Sequence, residues 1–193
     1  FVTDEGHVLT NAHVIQDSQI ETLLVFGKGM SKEALTARKI WVIPERDIAV
    51  LKTKKPDKVV PLALLAANPS KGQAVWALGY PGKQLQNMSS FKESHEEWDA
   101  TLTDGIVSRT FIGAASPESE ARQQLIQHTA EISQGNSGGP LINECGVVVG
   151  INYLGTTSIS EDVDDPDFFA IGSKGILEIL PNRIDGIVSS DGC

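Results

Sequence analysis

Short apolar runs rich in β-branched residues recur along the whole chain, and they limit its possible folds more than any other feature. Several runs alternate apolar with polar residues, as strands with one buried face do. Turn-forming residues separate them at intervals of roughly 10–20 residues, a spacing typical of all-β barrels and sandwiches. The runs span residues 21–26, 35–43, 48–52, 74–80, 100–110, 125–132, 140–143, 146–154 and 168–172.

One helix is expected near the end of the chain, at about residues 173–180. Ser173 is its predicted N-cap, and Pro181 ends it because proline cannot continue a helix. A short helical turn is expected around 11–15, and NECG at 143–146 is a predicted hairpin turn. The apolar face of the helix is formed by Ile176, Leu177, Ile179 and Leu180.

Polar and proline-containing segments divide the chain. The segment 60–73 contains two prolines and a glycine and is the predicted connection between two halves. Residues 83–99 and 155–167 are polar and lack periodicity, so we expect two long surface loops there. The chain opens on FVTDEGHVLT, which is typical of the middle of a hairpin. We therefore expect this sequence to be part of a longer chain, and no signal peptide is visible in it.

The composition excludes several classes of protein. Of the 193 residues, 40% are hydrophobic and 21% are charged, as in folded globular proteins. The net charge of −9 argues against a nucleic-acid partner, because such binding depends on Lys and Arg neutralising phosphates. No run of about 18 apolar residues offers a membrane span. Cys145 and Cys193 either form one disulfide or stay unpaired, because spacing alone cannot place their Cα atoms within bonding distance.

The stretch QGNSGGP at 134–140 surrounds one hydroxyl, that of Ser137, with three glycines. Glycine is favoured where the backbone turns tightly or approaches another group closely. A serine held in this way can act as a nucleophile if a histidine base and an orienting carboxylate lie beside it. The candidates are His13 in TNAHV and Asp47 in RDIAVLK, each next to a predicted strand. The chain order His, Asp, Ser is one known solution to this geometry.

On these motifs the chain resembles the trypsin-like serine proteases, and within them the bacterial HtrA/Deg-type branch. VLTNAHV is similar to the histidine motif of that branch, DIAVLK to its aspartate motif, and GNSGGPLIN with GVVVGIN to its serine motif. Shorter similarities lie at 78–82, 103–108 and 169–176. The resemblance implies an all-β fold of two six-stranded antiparallel barrels, with the active site between them and a C-terminal helix. It implies an N-terminal barrel at 1–66, whose first strand lies upstream, a C-terminal barrel at 67–193, and no PDZ domain within this chain.

The resemblance also implies a role for each site residue. Ser137 attacks the scissile carbonyl, His13 carries the proton, and Asp47 orients His13. The oxyanion hole is expected at Gly135, Asn136 and Ser137, formed by the backbone N–H groups of Gly135 and Ser137. In the digestive members of the family, an aspartate before the serine pairs with a newly freed N-terminal ammonium. Asn136 stands at that position and is uncharged, so we expect no activation by N-terminal clipping. No cofactor and no metal is expected.

A specificity pocket is expected from the stretch before Ser137 and the strand after it. Glu131 at its base would select Arg or Lys, whereas an apolar pocket as in the HtrA branch would take small aliphatic residues, which we favour. The polypeptide substrate is expected to bind as an added strand beside 151–155. The candidate substrate-binding residues are Glu131, Ile132, Asn152, Tyr153, Leu154 and Gly155.

The other histidines and the acidic loops have simpler interpretations. His95 lies among acids at 93–99, but the spacing there matches no known pattern of metal ligands. We expect a solvated loop there, and also at 161–167, where calcium binding is the alternative. His7 and His128 lie on predicted strands without a partner motif and are interpreted as structural.

Two classes of function remain open. The first is a serine endopeptidase, which the resemblance places in the periplasm or outside the cell. The second is a catalytically inactive or latent protein of the same fold that binds peptides or proteins. Latency would follow if the loop 83–99 blocked the cleft. Labelling with a serine-reactive probe separates these classes, whereas the oligomeric state is not indicated by the sequence.

Overall fold

The structure is a computed structural model that describes residues 1–16, 23–25, 35–55, 60–80, 100–115, 118–153, 168–180 and 184–192. Several expected features lie outside the described residues. They are the loops 83–99 and 155–167 with His95, and the residues Leu154, Gly155, Pro181 and Cys193.

Each of the nine apolar runs contains a strand, which confirms the all-β prediction. The strands are β1 (His7–Thr10), β2 (Leu23–Val25), β3 (Leu35–Ile43), β4 (Ile48–Thr53), β5 (Leu64–Leu65), β6 (Ala74–Gly79), β7 (Thr101–Gly113), β8 (Gln123–His128), β9 (Pro140–Ile142), β10 (Val148–Tyr153), β11 (Phe168–Gly172) and β12 (Ser189–Ser190). The helix α1 spans Ser173–Ile179, and two 3₁₀ turns span His13–Ile15 and Pro44–Arg46.

The first sheet is antiparallel, with its described strands in the order β1-β4-β3-β2. Its central strand β4 is almost entirely buried, with Ile48 1% and Val50 0% exposed. A strand with so many apolar residues is stable only between other layers, and β4 therefore anchors this sheet to the core. The described residues supply four strands here, and the expected count of six in this half stays a prediction.

The second sheet contains a closed barrel. Its strands follow the order β11-β8-β7-β6-β9-β10, and β10 also pairs with β11, so six antiparallel strands form a ring. This matches the six strands expected for the C-terminal half. The short strands β5 and β12 extend the sheet through parallel pairing. The boundary near residue 66 stays a prediction, and β5, just before it, pairs with β10 of the second sheet.

The C-terminal helix lies where the sequence predicts it, but its first residue is used differently. Gly172 is the N-cap, and the Ser173 hydroxyl donates instead to the Leu65 carbonyl at 2.7 Å. The predicted Ser173 cap is therefore wrong, because a tertiary acceptor takes its hydroxyl. Ile176 and Leu180 are 0% exposed and give the helix its buried face.

The predicted turn at 143–146 joins β9 to β10. The Asn143 side chain accepts hydrogen bonds from the backbone N–H groups of Cys145 and Val147, and Gly146 takes a positive φ of 73°. Cys145 is disulfide-bonded, so the alternative of an unpaired Cys145 is wrong.

One apolar cluster joins the two sheets. It contains Leu9, Ile48 and Val50 from the first sheet together with Leu125 and Ile151 from the second. The sheets therefore share a core, and the turns at their strand ends meet above it. Among the described residues, no helix has both the length and the apolar character needed to cross a membrane.

Candidate active site

Strand pairing brings His13 and Asp47 together. His13 follows β1 within the first 3₁₀ turn, and Asp47 directly precedes β4. Because β1 and β4 are antiparallel neighbours, with Thr10 opposite Ala49, the end of one lies beside the start of the other. Asp47 Oδ2 lies 2.8 Å from His13 Nδ1, and Asp47 Oδ1 accepts the backbone N–H of His13 at 2.9 Å. Both carboxylate oxygens are thus directed to one histidine.

This contact fixes the state of the imidazole. A carboxylate can only accept a hydrogen bond, so His13 Nδ1 carries the hydrogen and Nε2 is left to accept a proton. The hydrogen bond from His13 to Asp47 raises the pKa of the imidazole, while partial burial opposes the rise. The His13 side chain is 44% exposed and that of Asp47 is 15% exposed. The His13 imidazole is therefore partly exposed, and its affinity for a proton is increased.

Two further side chains surround Asp47, and sequence reasoning missed the first of them. Asn11 is 0% exposed and donates its side-chain N–H to the Asp47 carbonyl at 3.1 Å. Its only sequence signal was its place in TNAHV, two residues before His13. Tyr153 is 5% exposed, and burial, with a contribution from the Asp47 carboxylate, raises the pKa of its phenol to about 12.

The glycines of the 134–140 loop are needed for close packing. A Cβ on Gly138 would lie 2.2 Å from Thr10 Oγ1, and a Cβ on Gly139 would lie 2.2 Å from the Leu78 carbonyl oxygen. Gly138 also has a positive φ of 81°. Its N–H donates to the Asn152 carbonyl at 2.9 Å. The loop is therefore packed against the end of β1, the strand that leads to His13.

Ser137 is half-buried and lies between these close contacts. Its neighbour Gly138 packs against Thr10, three residues before His13, so the serine loop lies against the strand that leads to the histidine. Within the described part of the chain, no hydrogen bond joins Ser137 Oγ to the His13 ring. Such bonds are often long in the absence of substrate and tighten when it binds.

The backbone amides of this loop fall into two groups. Within the described residues, the N–H groups of Gly135 and Ser137 donate to no protein atom. Gly135 has a φ of 104°, which glycine adopts without strain. The Asn136 N–H donates to the Ser133 carbonyl at 3.0 Å, so this amide is already used, and the oxyanion hole stays a prediction for the N–H groups of Gly135 and Ser137. The two unused amides flank Asn136, and they are the ones able to bind an oxyanion.

The predicted specificity residues are only partly placed in a cleft. Ile132 is 4% exposed in the core of the second barrel, and Asn152 is 0% exposed with its side-chain N–H on the Pro140 carbonyl at 3.1 Å. Neither side chain reaches the surface, so these two residues could meet a substrate only through their backbone, and their part in substrate binding stays a prediction.

The other two described candidates lie nearer the surface or a cleft. Glu131 is exposed. Tyr153 lines a cleft of about 600 Å³ beside the catalytic candidates. Other residues lining this cleft are His13, Lys39, Val42, Asp47 and Ala115.

The remaining described histidines are structural, as interpreted from the sequence. His128 is 2% exposed and stacks on Phe168 with ring centroids 6.2 Å apart. Burial lowers the pKa of His128 to about 4. His7 Nδ1 lies 2.7 Å from the Thr3 hydroxyl. Neither histidine contacts Asp47 or Ser137.

Comparison with known proteins agrees with this geometry. The sequence profile of the trypsin-like peptidase domain matches residues 1–151. The chain is 35% identical, over 99% of its length, to the serine protease HTRA1A of Danio rerio. It is 36% identical, over 78% of its length, to a probable periplasmic serine endoprotease, DegP-like, of Pseudomonas fluorescens. It spans only 35% and 27% of the lengths of these relatives.

A solved structure supports the fold independently. The active form of the Rv3671c protease from M. tuberculosis superposes with a TM-score of 0.72, covering 100% of this chain and 76% of that chain. Its sequence identity is 23%, so this likeness supports the fold alone. The profile match and the sequence relatives support the family. The chain belongs to the trypsin-like peptidase family, in its HtrA/Deg branch.

Proposed function

We propose that this protein is a serine endopeptidase that hydrolyses polypeptides through Ser137, His13 and Asp47. The observation that carries the proposal is the pair of hydrogen bonds that His13 donates to the Asp47 carboxylate, which leaves His13 Nε2 free to act as the base. Membership of the trypsin-like peptidase family supports the same assignment. No cofactor is required by this chemistry.

The proposed reaction has two halves. In the first, Ser137 Oγ bonds to the scissile carbonyl carbon while His13 Nε2 takes the hydroxyl proton. The C–N bond then breaks, and the proton passes from His13 to the leaving amine. In the second half, water adds to the acyl carbonyl carbon and gives a proton to His13 Nε2. The ester bond to Ser137 Oγ then breaks, His13 returns that proton to Ser137 Oγ, and the acid product leaves the restored enzyme. Asp47 stays ionised and stabilises the imidazolium in both halves.

The negative charge on the carbonyl oxygen needs donors that are already in place. The N–H groups of Gly135 and Ser137 are the proposed oxyanion hole, supported by their lack of other acceptors within the described residues. Removing one donor of this kind costs on the order of 3 kcal/mol in transition-state stabilisation.

The proposed substrate is a polypeptide with a small aliphatic residue before the scissile bond. Glu131 supports this choice over basic residues, because its exposed side chain offers no enclosed carboxylate to select Arg or Lys. A periplasmic or secreted location is proposed, and the name of the Pseudomonas fluorescens relative supports it. The N- and C-terminal barrels are proposed to lie at residues 1–66 and 67–193.

A latent enzyme is the second candidate. It is favoured by one observation, the absence of a hydrogen bond between Ser137 Oγ and the His13 ring within the described residues. In that state a substrate, a partner or a loop would have to bring the two groups together.

Digestion of unfolded casein by the wild-type protein and by Ser137→Ala tests the proposal. We expect fragments only from the wild-type protein, with mass spectrometry placing the cuts after small aliphatic residues. Glu131→Gln is the matched control and should cut at the same bonds. Equal digestion by Ser137→Ala would contradict the assignment of the nucleophile, and cuts after Arg or Lys that disappear in Glu131→Gln would contradict the proposed specificity.

A further inference from the structure

Asp47 has an unusual backbone conformation. Its φ and ψ are 53° and 41°, and among the described residues it is the one non-glycine residue with a positive φ. The left-handed region is disfavoured for L-residues, although Asp tolerates it better than most. Such conformations persist where the surrounding structure holds them, and they are concentrated at functional sites. The contacts that hold this one are therefore of functional interest.

Part of the support is local to the first sheet. Asp47 ends the 3₁₀ turn Pro44–Arg46, and its N–H donates to the Pro44 carbonyl at 3.0 Å. Asn11 holds the Asp47 carbonyl from the other side. These contacts fix Asp47 itself, but they leave the carbonyl groups of Glu45 and Arg46 to other partners.

Those partners come from the second barrel. Gln123, the first residue of β8, donates its side-chain N–H to the Arg46 carbonyl at 2.9 Å. The Ser119 hydroxyl donates to the Glu45 carbonyl. In return, the Arg46 guanidinium donates to the Arg122 carbonyl at 3.1 Å. Residues 74–77 positions apart in sequence thus hold the two peptide units just before Asp47.

Gln123 differs from the other two partners in its burial. It is 5% exposed, whereas the bonds of Ser119 and of Arg46 are exposed to water. The hydrogen bond from Gln123 to the Arg46 carbonyl is partly buried, so water replaces it less readily than it replaces the two exposed bonds. A carbonyl only accepts, so the amide nitrogen must face Arg46, and the Gln123 Oε1 atom has no partner among the described residues. The bond to the turn is therefore the one hydrogen bond that this amide makes within the described ranges of the chain.

We propose that Gln123 is a positioning residue, which holds the turn before Asp47 so that both carboxylate oxygens reach His13. The catalytic meaning of this role rests on the proposed function. The positioning itself does not, because the hydrogen bonds that Asp47 accepts from His13 exist with or without turnover.

A matched pair of variants tests the proposal. Gln123→Met removes the donor while keeping the length of the side chain. Gln124→Met is the control, because Gln124 is 7% exposed and its side-chain N–H donates to Asn68, away from Asp47. The charged groups that line the cleft beside His13, namely Lys39, Glu45 and Glu118, are unchanged in both variants.

The first readout is the pKa of His13, measured by NMR titration of the imidazole with His13→Gln to assign the signal. Because the bond to Asp47 raises this pKa, Gln123→Met should lower it toward the ordinary value near 6.5, and Gln124→Met should leave it unchanged. The second readout is turnover. We expect kcat to fall about 10- to 100-fold in Gln123→Met, with KM near the wild-type value, since small misplacements of catalytic groups act on the chemical step.

The titration decides the inference even if the protein cleaves nothing. A wild-type protein without activity would contradict the proposed function, while a lowered His13 pKa in Gln123→Met would still support the positioning role. An unchanged His13 pKa in folded Gln123→Met would overturn it. If Gln123→Met does not fold, Gln123→Asn keeps the amide and shortens its reach. The same fall in pKa is expected there, and its absence would overturn the proposal equally.

Discussion

The serine loop at 134–140 and the aspartate turn at 44–47 solve the same problem in different ways. Both hold a catalytic candidate just before a strand. The serine loop relies on absent side chains, since a Cβ on Gly138 or Gly139 would lie 2.2 Å from another part of the protein. The aspartate turn relies on added side chains, which reach it from the second barrel. One geometry is set by close backbone packing and the other by hydrogen bonds.

This difference determines how each region responds to mutation. In the serine loop, a single added methyl group at Gly138 or Gly139 should displace the nucleophile, because it would clash with a neighbouring atom. In the aspartate turn, the residues that matter lie far away in sequence, and their loss should loosen the turn without a steric clash. The two regions should therefore fail in distinguishable ways.

The largest effect is expected from Asp47→Asn, which changes the chemistry of the aspartate turn with little change of shape. We expect kcat to fall about 10⁴-fold, because an amide does not select the His13 tautomer that the carboxylate selects. The wild-type activity should rise as the pH passes the raised His13 pKa, above about 6.5. In Asp47→Asn the pH at which activity rises should be lower, because the His13 pKa is no longer raised by a carboxylate. Profiles of kcat/KM against pH measure both effects, and a rise at the wild-type pH would be evidence against the orienting role.

The next effect concerns the second barrel, which supports both regions. His128 is buried with a pKa of about 4, below the unfolded value near 6.5, so the unfolded chain binds a proton that the folded chain does not. The folded state should lose on the order of 3 kcal/mol from this group as the pH falls from 7 to 4. His128→Gln removes this contribution, and urea unfolding of both proteins at several pH values measures it. Parallel pH dependences for the two proteins would refute the assignment.

Gly138→Ala sharpens the comparison from the side of the serine loop. The added methyl would meet Thr10 Oγ1, and displacing the loop should lower kcat/KM about 100-fold. Thr10→Ala in the same chain removes the obstructing atom and should restore part of the activity. Gly139→Ala meets the Leu78 backbone, so no side-chain change should rescue it. Failure of Thr10→Ala to restore any activity would show that the clash is not the cause.

Gly146→Ala should have the smallest effect and serves as the control for Gly138→Ala. Gly146 has a similar positive φ of 73°, but no atom lies within 4 Å of an added Cβ. Gly146→Ala should therefore lower the free energy of unfolding by about 1 kcal/mol, because alanine is disfavoured in the left-handed conformation. Chemical denaturation should detect this loss while kcat/KM stays at the wild-type value. If Gly146→Ala lost as much activity as Gly138→Ala, the clash with Thr10 could not be the reason for the loss in Gly138→Ala.

The parts of the site that depend on local sequence were predictable. The nine apolar runs contain strands, and both His13 and Asp47 were placed next to predicted strands. The antiparallel pairing of β1 with β4, which brings the two residues together, is seen only in the structure. The three glycines of the serine loop were also visible in the sequence, because glycine is favoured where the backbone must pack closely.

Contacts made by distant polar side chains were not predictable. Nothing around Gln123 marks it as a partner of Arg46, because a glutamine in an apolar strand has many possible acceptors. The same limit explains the wrong cap at Ser173, whose hydroxyl binds the Leu65 carbonyl 108 residues away in sequence. Burial of Ile132 and Asn152 likewise depends on how the barrel closes, which a run of apolar residues does not specify.

Ser137 is proposed to be an activated nucleophile beside an oxyanion hole that is formed before substrate binds. Labelling of the purified protein with a fluorophosphonate, beside Ser137→Ala, tests it most directly, because the probe reacts only where the serine and the oxyanion donors act together. We expect the wild-type protein to be labelled and Ser137→Ala to remain unlabelled. No labelling of either protein, with the fold intact, would contradict the claim that the site is assembled at rest.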